Sequence, residues 1–193
     1  MSNLPQVIVL NGCSSSGKTS IARALQEQLP QQFLNFSIDA ILDALPASDL
    51  QAVQTGLAVQ RRGHDFAQLV RAYHYALPGL LQAGCLLIID NAWCERDEKR
   101  ELLTELAGYR VLLVGVFCDQ DELERREMAR GNRPQGQAAW ELERVHQEMS
   151  YDLQVNTMGI SPEDNAGLIC RYIHDGRILN GAIDTLEHLN MLA

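Results

Sequence analysis

Three features of the chain predict an α/β domain of three layers, with a five-stranded parallel sheet between two layers of helices. Short apolar runs alternate with longer segments of helical period, as strand–helix–strand crossovers require of a parallel sheet. The runs are continuous in Val, Ile and Leu, the pattern of strands covered on both faces. A glycine- and serine-rich turn joins the first run to the first helix. At 193 residues the chain is expected to form a single domain, and it shows no internal repeat, low-complexity segment or interdomain linker. Hydrophobic residues make up 46% and aromatic residues only 6%, so the expected core is aliphatic.

Taken in order, Val7 to Leu10 reads as a buried strand and Lys18 to Leu29 as a helix. Phe33 to Ile38 suggests a second strand, with Asp39 placed to cap a short helix, Ala40 to Leu45, that Pro46 helps to end. Residues 47–63 carry two glycines and weak periodicity, and read as an irregular insert. Helical spacing returns from Asp65 to Gln82, with Phe66, Leu69, Val70, Tyr73 and Ala76 on one stripe and Pro78 as a potential kink. Cys85 to Asp90 is the clearest strand and ends on an acid. Asp97 to Leu106 reads as a polar helix, Tyr109 to Cys118 as a strand, and Asp119 to Arg130 as a charged helix that the glycine-bounded segment 131–136 breaks. Ala138 to Met149 is helical again, Leu153 to Asn156 a last strand, Pro162 to His174 a closing helix, and Ile183 to Leu192 a weak one.

Sixteen basic against 25 acidic residues give a net charge of −9. An acidic surface repels nucleic-acid phosphates and anionic membranes, so neither is an expected partner, and any anionic ligand needs a local cluster of N–H groups, Lys and Arg. The five cysteines (Cys13, Cys85, Cys94, Cys118 and Cys170) are odd in number and form no Cys-x-x-Cys pair. They read as reduced thiols. The N-terminus resembles no secretory leader, and no window has the length of a membrane helix, so a cytoplasmic protein is expected. The five histidines lack metal-site spacing.

Gly12-Cys13-Ser14-Ser15-Ser16-Gly17-Lys18-Thr19 follows a strand and opens a helix, the context in which this spacing cradles phosphate. Glycines let backbone N–H groups turn inward around an anion, and the helix start adds its dipole. Residues Gly12 to Ser20 are therefore the candidate nucleotide site. Lys18 is expected on the β- and γ-phosphates and Thr19 on Mg²⁺. Cys13 is either an oxidisable thiol or a small residue filling the loop. Asp39 stands at the carboxyl edge of the sheet, where ligands bind in such folds. It is a candidate base for an acceptor hydroxyl, or a plain helix cap, with Asp43 as the alternative. Asp90 suits the metal's outer sphere. Arg130 and Arg133 lie in a basic segment of an acidic chain, and residues 125–148 read as a lid whose arginines close on the phosphates. Arg125 and Arg126 are alternatively surface partners of Glu122, Glu124 or Glu127. The acceptor-side insert is expected over residues 40–82.

These stretches resemble the chloramphenicol phosphotransferase family. The resemblance rests on Val7 to Thr19, on Phe36-Ser-Ile-Asp39-Ala-Ile-Leu-Asp43-Ala-Leu-Pro46, on Val114 to Asp119, on Arg126 to Arg133 and on the pair Tyr151-Asp152. It covers residues 6–46 and 85–157. It implies a P-loop kinase-like fold and transfer of a phosphoryl group from ATP, with Mg²⁺, to a hydroxyl of chloramphenicol, and with that a role in antibiotic resistance. It places Asp39 on the family's base and Arg130 and Arg133 in its lid. The chain departs from the family at residues 47–75 and at Asn156, where an acid is expected. A kinase for another small acceptor (nucleoside, sugar or nucleotide-sugar) and a non-catalytic nucleotide-binding module stay open, as does a homo-oligomer.

Overall fold

The strands form where the sequence is continuously apolar, and their neighbours in space are not their neighbours in sequence. The computed structural model describes residues 4–130 and 136–191. In chain order, β1 (Val7–Asn11) leads to α1 (Lys18–Gln28) and then to β2 (Phe33–Asn35). Three helices follow, α2 (Ile38–Leu42), α3 (Ala47–Gln54) and α4 (Phe66–Gln82), before β3 (Leu86–Asn91). After α5 (Arg96–Glu105) and β4 (Val111–Phe117) come α6 (Gln120–Arg130) and α7 (Gln137–Leu142). The chain continues through β5 (Leu153–Asn156), α8 (Pro162–His174) and α9 (Gly181–Met191).

All pairings are parallel, in the order β2-β3-β1-β4-β5. The register sets Asn11, at the end of β1, level with Asn91 on one side and Gly115 on the other. Alternate residues of β1 feed two cores. Val7 and Val9 pack with Tyr73, Leu77, Leu102 and Leu189 from α4, α5 and α9. Ile8 and Leu10 pack with Ile21 and Leu25 of α1 and with Ala166 and Ile169 of α8. All four β1 residues are fully buried, each worth about 1.5–3 kcal/mol against exposure. The expected three layers follow from this. A third, smaller cluster of Cys13, Cys118, Leu123, Ala138 and Val145 lies under the loop after β1. Among the described residues, no helix is long and apolar enough to cross a membrane.

Some expectations need correction. β2 ends at Asn35, because this edge strand pairs only with β3 and does so over three residues. Ile38 therefore begins α2, and Asp39 lies in that helix's first turn; the cap position belongs to Ser37, in extended conformation. The insert is not wholly irregular, since α3 runs from Ala47 to Gln54. Its one buried residue is Asp49, whose carboxylate accepts from Arg61 Nε at 2.8 Å, so no apolar period announced the helix. α7 stops at Leu142, and turns carry the chain to Glu148, which has φ 58°. There the fully buried side chain of Lys99 donates to the carbonyls of Arg144 (3.0 Å) and Gln147 (2.9 Å).

Asp152 ties the last helix to the sheet. Its Oδ2 accepts from Leu113 N–H at 2.8 Å, and its Oδ1 from Asn180 and Gly181 N–H, both at 2.8 Å. A Cβ on Gly181 would meet Asp152 N and Ser150 O at 2.8 Å, so only glycine fits there. Asp152→Ala leaves three N–H groups without this acceptor and is expected to cost about 2–3 kcal/mol, read from urea unfolding.

Candidate functional site

The loop between β1 and α1 is shaped by two glycines that nothing else replaces. A Cβ on Gly12 would lie 2.3 Å from Val116 O, and Gly17 adopts φ 96°. Ser15 also takes a left-handed conformation, φ 64°. Cys13, Ser14, Ser15 and Ser16 are all buried, and the hydroxyls of Ser15 and Ser16 have no hydrogen-bond partner among the described residues. Lys18, the first residue of α1, donates from Nζ to the carbonyls of Gly12 and Cys13, both at 2.7 Å. The loop thus wraps around its own cation.

Burial raises the Cys13 thiol to about 11 and the Cys94 thiol to about 12. Both stay protonated at neutral pH, so Cys13 is a loop-filling residue here rather than a reactive thiolate. The described cysteines are all free.

Thr19 follows Lys18 and donates from Oγ1 to Asp90 Oδ2 at 2.6 Å. Burial holds the Asp90 carboxyl above its usual range, the Thr19 bond and Lys18 oppose this, and the charge of Asp39 raises it further. Asp39, itself exposed, lies in the first turn of the helix that follows β2, and β2 runs parallel to β3, so it stands at the same sheet edge as Asp90. Threonine hydroxyl and carboxylate are hard oxygen donors that fit Mg²⁺, which keeps waters and takes phosphate oxygens as further ligands. Among the described residues there is no cluster of three or more His, Cys, Asp or Glu that could hold a metal ion.

Arg126, which the sequence leaves open between a lid arginine and a surface partner of an acid on its own helix, reaches the loop. It does pair with Glu122 (Nε to Oε1, 2.7 Å), as does Arg125 (2.7 Å). Those bonds pull the Glu122 carboxyl down to about 2. But Arg126 also donates from Nη1 to Thr157 Oγ1 at 3.2 Å and Ser15 O at 3.4 Å, and from Nη2 to Thr157 O at 3.3 Å. It bridges the loop and the segment after β5. A cleft opens there, lined by Ser15, Gly17, Ser20, Arg126, Thr157 and Ile160. Arg130 closes α6, but its side chain and the whole of Arg133 lie outside the described residues.

Two buried acids were also missed. Glu127 of α6 accepts from Gly136 N (2.8 Å) and Ala138 N (3.0 Å) and so caps α7. Glu141 of α7 accepts from the N–H of Ser14 and from its hydroxyl at 2.9 Å. No local pattern marks their roles: the N–H groups that Glu127 caps lie nine and eleven residues on, and Ser14 lies 127 residues from Glu141, whose other partner, Gln137, is an ordinary neighbour one helical turn away.

Asn11 joins three parts of the site. Its Nδ2 donates to Val145 O and to the Tyr151 hydroxyl, both at 2.8 Å, and its Oδ1 accepts from Trp93 N–H at 3.1 Å. The Tyr151 hydroxyl lies 2.7 Å from His146 Nδ1, and the His146 ring stacks on Phe117 with centroids 3.9 Å apart. Burial, then the positive charges of Lys18 and Lys99, lower His146 from 6.5 to about 4. The unfolded chain takes up this proton near pH 6.5 and the folded one only near 4. The contribution to stability is whole above pH 6.5 and is lost as pH falls toward 4. Glu98, raised to about 7 by burial, acts in the opposite sense, but it is common to wild type and variant and cancels between them. The difference in unfolding free energy between wild type and His146→Phe should therefore decline from pH 7 to pH 4, as urea titrations at each pH would show.

The chain resembles known proteins over most of its length. An O-phosphotransferase of Mycobacterium tuberculosis, so named provisionally, is 28% identical over 175 residues, 81% of this chain and 78% of its own. The M. tuberculosis APS kinase solved in complex with AMPPNP and APS has a TM-score of 0.65 at 16% identity, over 89% of this chain and 98% of that one. A sugar kinase from Janibacter sp. HTCC2649 gives 0.64 at 17% identity, over 87% and 94%. At such identities the structural likeness shows the fold, that of the P-loop kinases. Residues 5–174 match the family described as chloramphenicol phosphotransferase-like protein, a span that takes in the loop, Asp39, Asp90 and the cleft of Arg126, and the chain belongs to that family.

Proposed function

We propose that the protein is an ATP-dependent O-phosphotransferase that moves the γ-phosphoryl group to a hydroxyl of a small molecule. The observation that carries this reading is that Lys18, the Thr19–Asp90 pair and Asp39 stand at one edge of the sheet. A loop that only bound nucleotide would not require a second acid beside the metal position.

In this reading, N–H groups of residues 12–20 and the Lys18 ammonium hold the phosphates. The cleft between Arg126 and Ile160 takes the base and ribose. No Asn/Thr-Lys-x-Asp signature of guanine readers occurs, which favours adenine. Thr19 and Asp90 would hold Mg²⁺, which supplies charge neutralisation at the β- and γ-oxygens. Asp39 accepts the proton of the acceptor hydroxyl as its oxygen bonds to the γ-phosphorus. The bond from that phosphorus to the β–γ bridging oxygen breaks, and ADP leaves. Arg130 and Arg133 are assigned to the charge on the group in flight, where an arginine contributes roughly 10³–10⁵ in rate. Since ATP is the donor, the proposal places the protein in the cytoplasm.

Chloramphenicol is the acceptor we propose, from the family description. The region that would receive it exposes apolar side chains, Leu57 at 68% and Phe66 at 48%.

Adding chloramphenicol should stimulate ADP release in a coupled assay. A rate indifferent to the drug but raised by another hydroxyl compound would reassign the acceptor. Asp39→Asn should lower the transfer rate about 10²–10⁴-fold with the Kd for ATP nearly unchanged by calorimetry; full activity in that variant would sink the assigned role. Lys18→Ala should weaken ATP binding and transfer together.

A further inference from the structure

The loop that the proposed function gives to phosphate already holds an anion of the protein's own. Glu141 is 4% exposed. Its Oε2 accepts from Ser14 N–H, and its Oε1 from the Ser14 hydroxyl at 2.9 Å and from Gln137 Nε2 at 2.8 Å. Among the described residues it is the one acidic side chain bonded to a loop N–H. A carboxylate offers paired anionic oxygens to N–H and O–H donors, as a phosphoryl group does.

The contact is not a chance brush by a surface side chain. α7 is fixed at its start by Glu127, through Gly136 N and Ala138 N. Ala138 and Val145 pack with Cys13 and Leu123 directly under the loop. The charges of Lys18 and Glu141 both reach the Cys13 thiol, with opposite effects on it. Glu141 thus shares the loop's neighbourhood with the cation that a nucleotide needs.

We propose that Glu141 is an internal competitor for the phosphate loop, and that a bound nucleoside triphosphate displaces its carboxylate from Ser14 and shifts α7. The inference rests on the reading of the loop as a triphosphate site. Two anions cannot share the Ser14 donors, and at this depth their repulsion is weakly screened. The empty loop stays charge-matched and closed to stray anions. A triphosphate wins because it also engages Lys18, the remaining N–H groups and the metal. Part of its binding energy is spent on displacing Glu141, so the site binds more weakly than its donors alone would allow.

Glu141→Gln keeps an acceptor for the Ser14 N–H and removes the charge. Its Kd for ATP, measured by calorimetry with Mg²⁺, should fall roughly tenfold, the scale of a hydrogen bond to a charged group. Wild-type protein supplies a second readout that needs no variant. Trp140, the residue before Glu141, is 48% exposed, whereas Trp93 is fully buried. Acrylamide quenching therefore reports Trp140, and its quenching constant should change on saturation with ATP. Equal or weaker ATP binding in Glu141→Gln, in protein whose melting shows it folded, overturns the proposal. If the variant does not fold, unchanged Trp140 quenching at saturating ATP overturns it. Tight ATP binding in wild type beside either result leaves the proposed function standing. ATP binding by the variant alone supports the competitor role, and absence of ATP binding in both proteins overturns the triphosphate reading and this proposal together.

Discussion

The side chain of Asn11 is the joint on which the site depends. β1 is hydrogen-bonded along both edges and buried on both faces, so its last residue has almost no freedom. Asn11 uses its amide to hold Val145, Tyr151 and Trp93 at once. Those three residues belong to the segment after α7, the approach to β5 and the turn after β3. The loop begins one residue later, so whatever fixes Asn11 also fixes the origin of the loop relative to its surroundings. An amide suits this place because it donates and accepts in one plane without bringing in a charge.

Charge around the loop is arranged against the average of the molecule. The chain is acidic overall, and Asp39, Asp90 and Glu141 crowd the site as well. What makes an anion tolerable there is local: backbone N–H groups, the start of α1, Lys18 and Arg126. Each of these works over a few ångströms, whereas the net charge acts over about a Debye length, near 8 Å in physiological salt. Glu127 belongs to the same pattern, since its buried carboxylate is answered by the N–H groups that open α7.

The sequence disclosed the parts of this protein that rest on local periodicity. Strands such as Val7 to Leu10 are apolar on both faces, and the glycine-lysine loop is a contiguous pattern that sits in the context it needs. Helix α3 was illegible because the residue it buries is an aspartate answered by an arginine twelve residues on. A cap at Asp39 stayed open beside its role as a candidate base because nothing local says that an edge strand will stop after three residues. Arg126 has a helical partner in Glu122 that explains it fully until Ser15 and Thr157 come into view, 111 and 31 residues away in the chain. Glu141 and Ser14 are separated by 127 residues. Such pairs are made by topology, and no window along the chain contains them.

The strand order has a consequence for how the protein comes into being. β1 is made before the other described strands and is the central one in the sheet, yet its partners β3 and β4 begin at Leu86 and Val111. Until those segments have emerged from the ribosome, Val7 to Leu10 is an apolar strand with both edges open, the kind of surface that recruits other chains. One of the side chains that cover it, Leu189, arrives with α9. The newborn chain must therefore keep its centre from sticking to others while nearly everything that will enclose it is still being synthesised.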